Sequence, residues 1–175
     1  MKVLVISDTH NFLPVGVNSM EYDAVIHAGD IGSDDFFINI STCSRFFAVE
    51  GNTDYLTCTH LPETLCEKIE GVKFFLVHNL TSPSPDRVRK VNLDKIVKCS
   101  PDIVIFGHTH TPLITERDGM VFLNPGSLGK PGLTGISTYA VMEIEENSIK
   151  EIRIFDAETG RVVKKYNKKN EKNSV

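Results

Sequence analysis

The stretch VIFGHTHTPL at positions 104–113 ends an apolar run in a glycine and then places two histidines one residue apart. Were the extended backbone to continue past Gly107, His108 and His110 would project to the same side, a geometry suited to holding a metal ion. An isolated pair of this kind is more often one satisfied polar group and one turn residue, so the decision rests on what other strand ends supply. The first apolar run closes in Ser7, Asp8, Thr9 and His10, again with a carboxylate and an imidazole two residues apart. The next closes in Ala28, Gly29 and Asp30, another in Glu50, Gly51, Asn52, Thr53 and Asp54, and another in Val77, His78 and Asn79. Asp8, His10, Asp30, Asn52, His78, His108 and His110 are therefore candidate ligands delivered to one edge, where open α/β sheets build their sites. Seven nitrogen and oxygen donors with no thiolate exceed one tetrahedral zinc and suit two borderline divalent cations. A carboxylate shared by both ions would hold them about 3.5–4 Å apart, and Asp30, alone after its run, is the expected bridge.

Other residues with chemical potential have blander readings. His27 lies inside an apolar run and reads as a core histidine, and His60 lies in a loop before Pro62. GSLGKP at 126–131 fails as a nucleotide phosphate loop because Lys130 is followed by Pro131, which offers neither hydroxyl nor amide. Ser127 lacks the context of a nucleophile elbow. Arg87, Arg89 and Lys90 could meet a substrate phosphate, but a solvated helix face is the simpler reading. Cys43, Cys58, Cys66 and Cys99 form no CxxC pair and read as reduced thiols.

The elements that must position the ligands are short, near-continuous apolar runs: KVLVIS, DAVIHAG, RFFAVEG, KFFLVH, DIVIFG and MVFLNPG. Runs of this kind suit strands buried on both faces. PDRVRKVNLDKIVKCS is the clearest helix, with Val88, Val91, Ile96 and Val97 able to share a face. Residues 33–41 and 15–22 are weaker helix candidates. TLCEKIEGVKFFLV and TYAVMEIEENSIKEIRIFD read as hairpins turning near Glu70–Gly71 and Glu146–Ser148. Residues 53–63, 79–86 and 111–119 read as the loops that would set specificity.

With 175 residues, 41% hydrophobic and 24% charged, the chain fits one globular domain over residues 1–160, followed by a charged, poorly ordered tail at 161–175. Of its 19 Lys and Arg and 23 Asp and Glu, six and one fall in residues 160–175, so the body is acidic. That argues against a broad nucleic-acid-binding face, though not against a nucleotide-like substrate. No stretch approaches the roughly 20 apolar residues that span a bilayer, so no membrane association is expected, and a cytoplasmic location is. A homo-oligomer stays open.

The ordered set DTH, GD, GNTD, H and GHTH, over residues 3 to about 127, resembles the calcineurin-like metallophosphoesterases. The short chain and NPGS at 124–127 further resemble their small YfcE-type phosphodiesterases. The resemblance implies an α/β fold, a four-layer α/β/β/α sandwich of two mixed sheets. It implies that Asp8, His10 and His110 hold one ion and Asn52, His78 and His108 the other, with Asp30 between them. The implied activity is hydrolysis of a small or nucleotide-like phosphate ester, a diester rather than a monoester, by a metal-bound hydroxide. The expected catalytic residues are Asp30, Asn52 and His108, with Asn11, Thr53 and Asn79 as substrate contacts. Mn²⁺ is the expected metal, and Ni²⁺, Fe²⁺ or Zn²⁺ would also suit the donors. The chain departs from many relatives at Thr53, where they carry histidine, and at Asn79, where HGH is common. The alternative function is that of the retromer scaffold subunit, which resembles this fold and serves as a protein-interaction platform.

Overall fold

The computed structural model describes residues 1–42, 45–54, 60–81, 88–132 and 134–168. The β-branched runs form strands where expected: β1 (Lys2–Ile6), β2 (Ala24–His27), β3 (Phe46–Ala48), β5 (Val72–Val77), β6 (Ile103–Phe106) and β8 (Met120–Asn124). Both hairpins are present, β4 (Thr64–Ile69) with β5, and β9 (Thr138–Glu145) with β10 (Ser148–Asp156). Their turns need left-handed backbone, and it is found at Glu70 (φ 42°) and Gly71 (φ 85°), and at Glu146 (φ 49°) and Asn147 (φ 60°). Two strands complete the set, β7 (Leu113–Arg117) and β11 (Val162–Asn167).

The strands form two mixed sheets, ordered β11-β10-β9-β1-β2-β3 and β4-β5-β6-β8-β7. In the first sheet β1, β2 and β3 run parallel, and in the second β5, β6 and β8 do. The sheets pack face to face through Val3, Val5 and Ile26 from one and Phe74, Leu76, Ile103, Ile105 and Leu123 from the other, all fully buried. At about 1.5–3 kcal/mol for each large side chain, this interior is the main stabilising element. Against the outer face of the second sheet lies helix α2 (Lys90–Cys99), through Ile96 and Cys99. The outer face of the first is covered by the segment around Leu13 and Val17, by a 3₁₀ turn (Ser19–Glu21), and by α1 (Asp34–Ile40) through Ile40. The result is the expected four-layer α/β/β/α sandwich. Ser33 caps α1 by accepting the Phe36 amide, and Asp34 and Asp35 in the first turn complement the helix dipole.

Four expectations need correction. Residues 162–167 are not a loose tail, because they pair antiparallel with β10 as an edge strand. Residues 113–117, expected as loop, pair with β8. On α2 the buried positions are Asn92, Ile96 and Cys99, whereas Val91 and Val97 are exposed. The helix starts five residues later than its bounding proline suggests, and that shift decides which face meets the sheet. Cys66 and Cys99 are not free thiols: they form a disulfide between β4 and the end of α2, with Cα atoms 6.0 Å apart across 33 residues of sequence. Cys43, Cys58 and Arg87 lie outside the described residues. No helix among the described residues is long and apolar enough to cross a membrane.

Candidate metal centre

Asp8 and His10 follow β1, Asp30 follows β2, Asn52 follows β3, His78 follows β5, and His108 and His110 follow β6. The carboxyl ends of three neighbouring parallel strands of one sheet thus meet those of two parallel strands of the other. All seven side chains gather there, in two groups. In the first, Asp8, His10 and His110 offer ligand atoms within 4.8 Å of one another. Asp8 Oδ1 lies 3.2 Å from His110 Nε2, and the His10 and His110 rings are 6.0 Å apart. In the second, Asn52 Oδ1 is 3.0 Å from His78 Nε2 and 2.8 Å from His108 Nδ1. Asp30 Oδ2 stands between the groups, 3.8 Å from His10 Nε2 and 3.5 Å from His78 Nε2. By ligand-atom proximity Asp8 also joins Asp30 and His78, but its Oδ2 accepts the His108 amide at 3.1 Å, which leaves Asp30 as the carboxylate between the imidazoles.

His108 and His110 belong to different groups, so strand alternation is not what places them. The backbone is left-handed at Asp8 (φ 53°), His10 (φ 44°), Asp30 (φ 54°), His108 (φ 67°) and His110 (φ 54°). Such conformations cost of order 1–3 kcal/mol each at a non-glycine residue and persist where the surroundings over-determine them. The surroundings here are short contacts between loops. A Cβ on Gly51 would lie 2.1 Å from the Asp30 nitrogen, and one on Gly107 would lie 1.9 Å from Ser7 Oγ and 2.8 Å from Asp8 Oδ2. Glycine at 51 lets the neighbouring ends of β2 and β3 meet within one sheet, and glycine at 107 lets the end of β6 approach the end of β1 across the two sheets, so that their ligands converge.

The donor set fits divalent cations. Asp8 is fully buried, and its Oδ1 has no aligned hydrogen bond although it lies close to His110, so a buried oxygen waits for a partner. Burial pushes the Asp8 carboxyl up, but the facing His110 and the charge of His78 outweigh it and hold the group below its ordinary value. The Asp8 carboxylate in turn raises His110. Burial, followed by the charge of His78, lowers His108, which keeps a lone pair available. His78 Nδ1 faces the Ala28 carbonyl at 2.7 Å; donation to it puts the proton on Nδ1 and turns the bare Nε2 towards Asn52 and Asp30.

Several positioning residues had little signal in the sequence. Asp54, only 5% exposed, accepts the amides of Ile31 and Gly51 at 2.8 Å each, clamping the loops that carry Asp30 and Asn52. Asn124 donates to the Gly107 carbonyl and to Thr109 Oγ1, and Ser127 donates to the Asp8 carbonyl, so NPGS serves as a brace rather than a nucleophile. The acid two residues after Asn52 was the only hint of the first. Of the candidate substrate contacts, Asn11 accepts the Ser33 amide at 2.6 Å, Thr53 donates its amide to Asp30 Oδ1 at 2.9 Å, and Asn79 carries a buried Oδ1 without a partner. His27 is a core histidine, as expected.

The family profile described as the calcineurin-like phosphoesterase superfamily domain matches residues 1–147. A probable metallophosphoesterase of Methanothermobacter thermautotrophicus is 34% identical over 77% of this chain and 81% of its own. A phosphodiesterase of Methanocaldococcus jannaschii is 27% identical over 87% and 98%. Among solved structures, wild-type Vps29 of Entamoeba histolytica complexed with zinc superposes with a TM-score of 0.73 at 24% identity, covering 95% of this chain and 99% of that one, and so shares the fold.

Proposed function

Since the chain belongs to the calcineurin-like phosphoesterase superfamily, we propose that it is a phosphodiesterase acting on a small phosphate ester with two divalent cations, Mn²⁺ foremost. Asp8, His10 and His110 would hold one ion, and Asn52, His78 and His108 the other. The observation that carries this reading is the place of Asp30, whose Oδ2 faces His10 of one group and His78 of the other. Such a pair of cations supplies Lewis acidity, lowering the pKa of water to yield a nucleophile and neutralising charge on the phosphoryl oxygens.

The chain's own part is preorganisation. Asp54 and the Thr53 amide fix the loop and carboxylate of the bridge, and the Ala28 carbonyl fixes the His78 tautomer. Neither Thr53 nor Asn79 can donate a proton as an imidazolium would, so the leaving group depends on water or on its own acidity. Activated aryl esters are then the better substrates. The Vps29 likeness supports the scaffold alternative only in shape, since that protein was itself crystallised with zinc.

The test is p-nitrophenolate release from bis-p-nitrophenyl phosphate and from p-nitrophenyl phosphate, after chelation and after return of Mn²⁺. We expect hydrolysis that returns with the metal, favours the diester, and falls on the order of 100-fold in Asp30→Asn. Equal rates with and without metal, or an unimpaired Asp30→Asn, would refute the reading.

A further inference from the structure

Three buried polar side chains outside the ligand set lie against the loops of the metal centre: Thr9 and His27 are fully buried, and Asp54 is 5% exposed. Thr9 stands between Asp8 and His10, and Asp54 follows Asn52 by two residues. Burying such groups is costly unless each polar atom finds a partner, so their partners show what they hold in place.

Their hydrogen bonds meet at Ile31, the residue after Asp30. The Gly29 amide donates to His27 Nδ1 at 3.2 Å, which leaves the imidazole proton on Nε2, 2.9 Å from Thr9 Oγ1. The Thr9 hydroxyl donates in turn to the Ile31 carbonyl at 2.9 Å, and the Asn11 amide donates to the same oxygen at 3.0 Å. From the other side, Asp54 Oδ1 accepts the Ile31 amide at 2.8 Å and the Gly32 amide at 3.2 Å, while Asp54 Oδ2 accepts the Gly51 amide at 2.8 Å. A continuous buried path therefore runs from the loop of Asp8 and His10, through the backbone that carries Asp30, to the loop of Asn52. It contains no ligand side chain, so it joins the two groups independently of the Asp30 carboxylate between them.

Both ring nitrogens of His27 and the Thr9 hydroxyl have partners, and a satisfied network in a low-dielectric interior rigidifies what it touches. What it touches is backbone in need of support, since Asp8, His10 and Asp30 are all left-handed. Fixing the first loop therefore helps to fix the others. We infer that Thr9, His27 and Asp54 are positioning residues that couple the two ion sites, so that filling either group raises the affinity of the other. The inference rests on the two-cation reading and adds that the pair assembles as a unit. Such coupling is reciprocal by linkage. Repulsion between the cations acts against it and the shared Asp30 carboxylate acts with it; both stay in place when Thr9 is replaced, so the variant isolates the network.

The experiment titrates Mn²⁺ into the chelated full-length chain, followed by calorimetry and by electron paramagnetic resonance, which separates isolated Mn²⁺ from an exchange-coupled pair. In the wild type the coupled pair should predominate already at one equivalent, with a single calorimetric transition that saturates at two ions per chain. Thr9→Val keeps the side-chain volume but leaves His27 Nε2–H without its acceptor. It should take up its ions in separate steps whose dissociation constants differ about tenfold or more, with isolated Mn²⁺ predominating at one equivalent. Thr9→Ser, which returns the hydroxyl, should restore the wild-type titration. Circular dichroism of the metal-free chains identifies a variant that fails to fold; should Thr9→Val do so, Asp54→Asn, which keeps one acceptor oxygen and breaks the path on one side, supplies the same comparison. Separate steps in the wild type, or a folded variant that titrates as the wild type does, overturns the inference and leaves the two-cation reading standing. A wild type that saturates below two ions per chain ends that reading and the inference with it.

Discussion

His27 lies beneath the metal centre as a neutral imidazole. Its Nδ1 accepts the Gly29 amide at 3.2 Å, which puts the proton on Nε2, 2.9 Å from Thr9 Oγ1; that hydroxyl in turn donates to the Ile31 carbonyl. Burial pushes its pKa down to about 3, with the Asp8 carboxylate opposing weakly. Between pH 3 and pH 6.5 the unfolded chain therefore binds a proton at this position that the folded chain refuses. Stability from His27 rises with pH through that window and is lost on acidification, by at most about 1.4 kcal/mol per pH unit. His110, raised by Asp8, acts in the opposite sense, stabilising below its unfolded pKa and losing that contribution as pH rises through its folded one. Urea denaturation of the metal-free protein at pH 5 and pH 7 should show a wild-type loss at pH 5 that shrinks in His27→Gln. A loss of the same size in the variant would assign the pH dependence elsewhere. The residue types at the strand ends were readable from the sequence, but their backbone conformations were not. Left-handed Asp8, His10 and His108 result from loop contacts such as Gly107 against Ser7, and no local propensity encodes such contacts.

At the scale of elements, β-branched runs and hairpin turns identified nine of the eleven strands among the described residues, because periodicity and turn chemistry are local properties. β7 and β11 were not identified, since each is an edge strand with polar residues on its open side. β11 carries five of its six residues exposed in a sequence, VVKKYN, that reads as a charged tail, yet its backbone pairs along β10 from Phe155 to Glu151. Tyr166 also packs against the core between the sheets and donates to Glu116 of β7 at 2.8 Å, tying the edge of one sheet to the edge of the other. Burial, followed by that carboxylate, pushes the Tyr166 phenol up to about 12. Ending the chain after Gly160 should therefore lower the melting temperature by several degrees and promote association through the bared edge of β10. Thermal melts with light scattering would show it, and a truncated chain that melts with the full-length protein and stays dispersed would mean that β11 contributes nothing. The Cys66–Cys99 bridge escaped notice for a related reason: 33 residues separate its partners, and only the packing of α2 on the second sheet brings them together.

For the whole molecule, the ligand set draws on both sheets: Asp8, His10, Asp30 and Asn52 from one, His78, His108 and His110 from the other. Cations bound there would join the two halves of the sandwich, so occupancy should be felt as global stability and not only as activity. A ligand that binds the folded state alone stabilises by about 2.7 kcal/mol at 100 times its dissociation constant. Adding Mn²⁺ to the chelated protein should raise the melting temperature in a concentration-dependent way, and His108→Ala should blunt the rise. A melting temperature indifferent to Mn²⁺ in the wild type would count against a centre that spans both sheets.

Sequence alone determined which residue types end the parallel strands, and with them the family, the two mixed sheets and the nitrogen and oxygen donors that a divalent cation requires. These are readable because strand patterning and motif order are written along the chain. The family resemblance implied how the donors divide, and the tertiary structure supplied the distances, with His110 beside Asp8 and His10, His108 beside Asn52 and His78, and Asp30 between them. Tertiary structure alone decided that Asp54 and Asn124 brace the loops. The physical reason is that each of these relations joins residues from different strands or loops, within one sheet for Asp54 and for Asn124, and across the junction of the two sheets for His110 with Asp8 and for Asn52 with His78 and His108. Distances there follow from glycines packed against carboxylates and hydroxyls, contacts that neither composition nor spacing records.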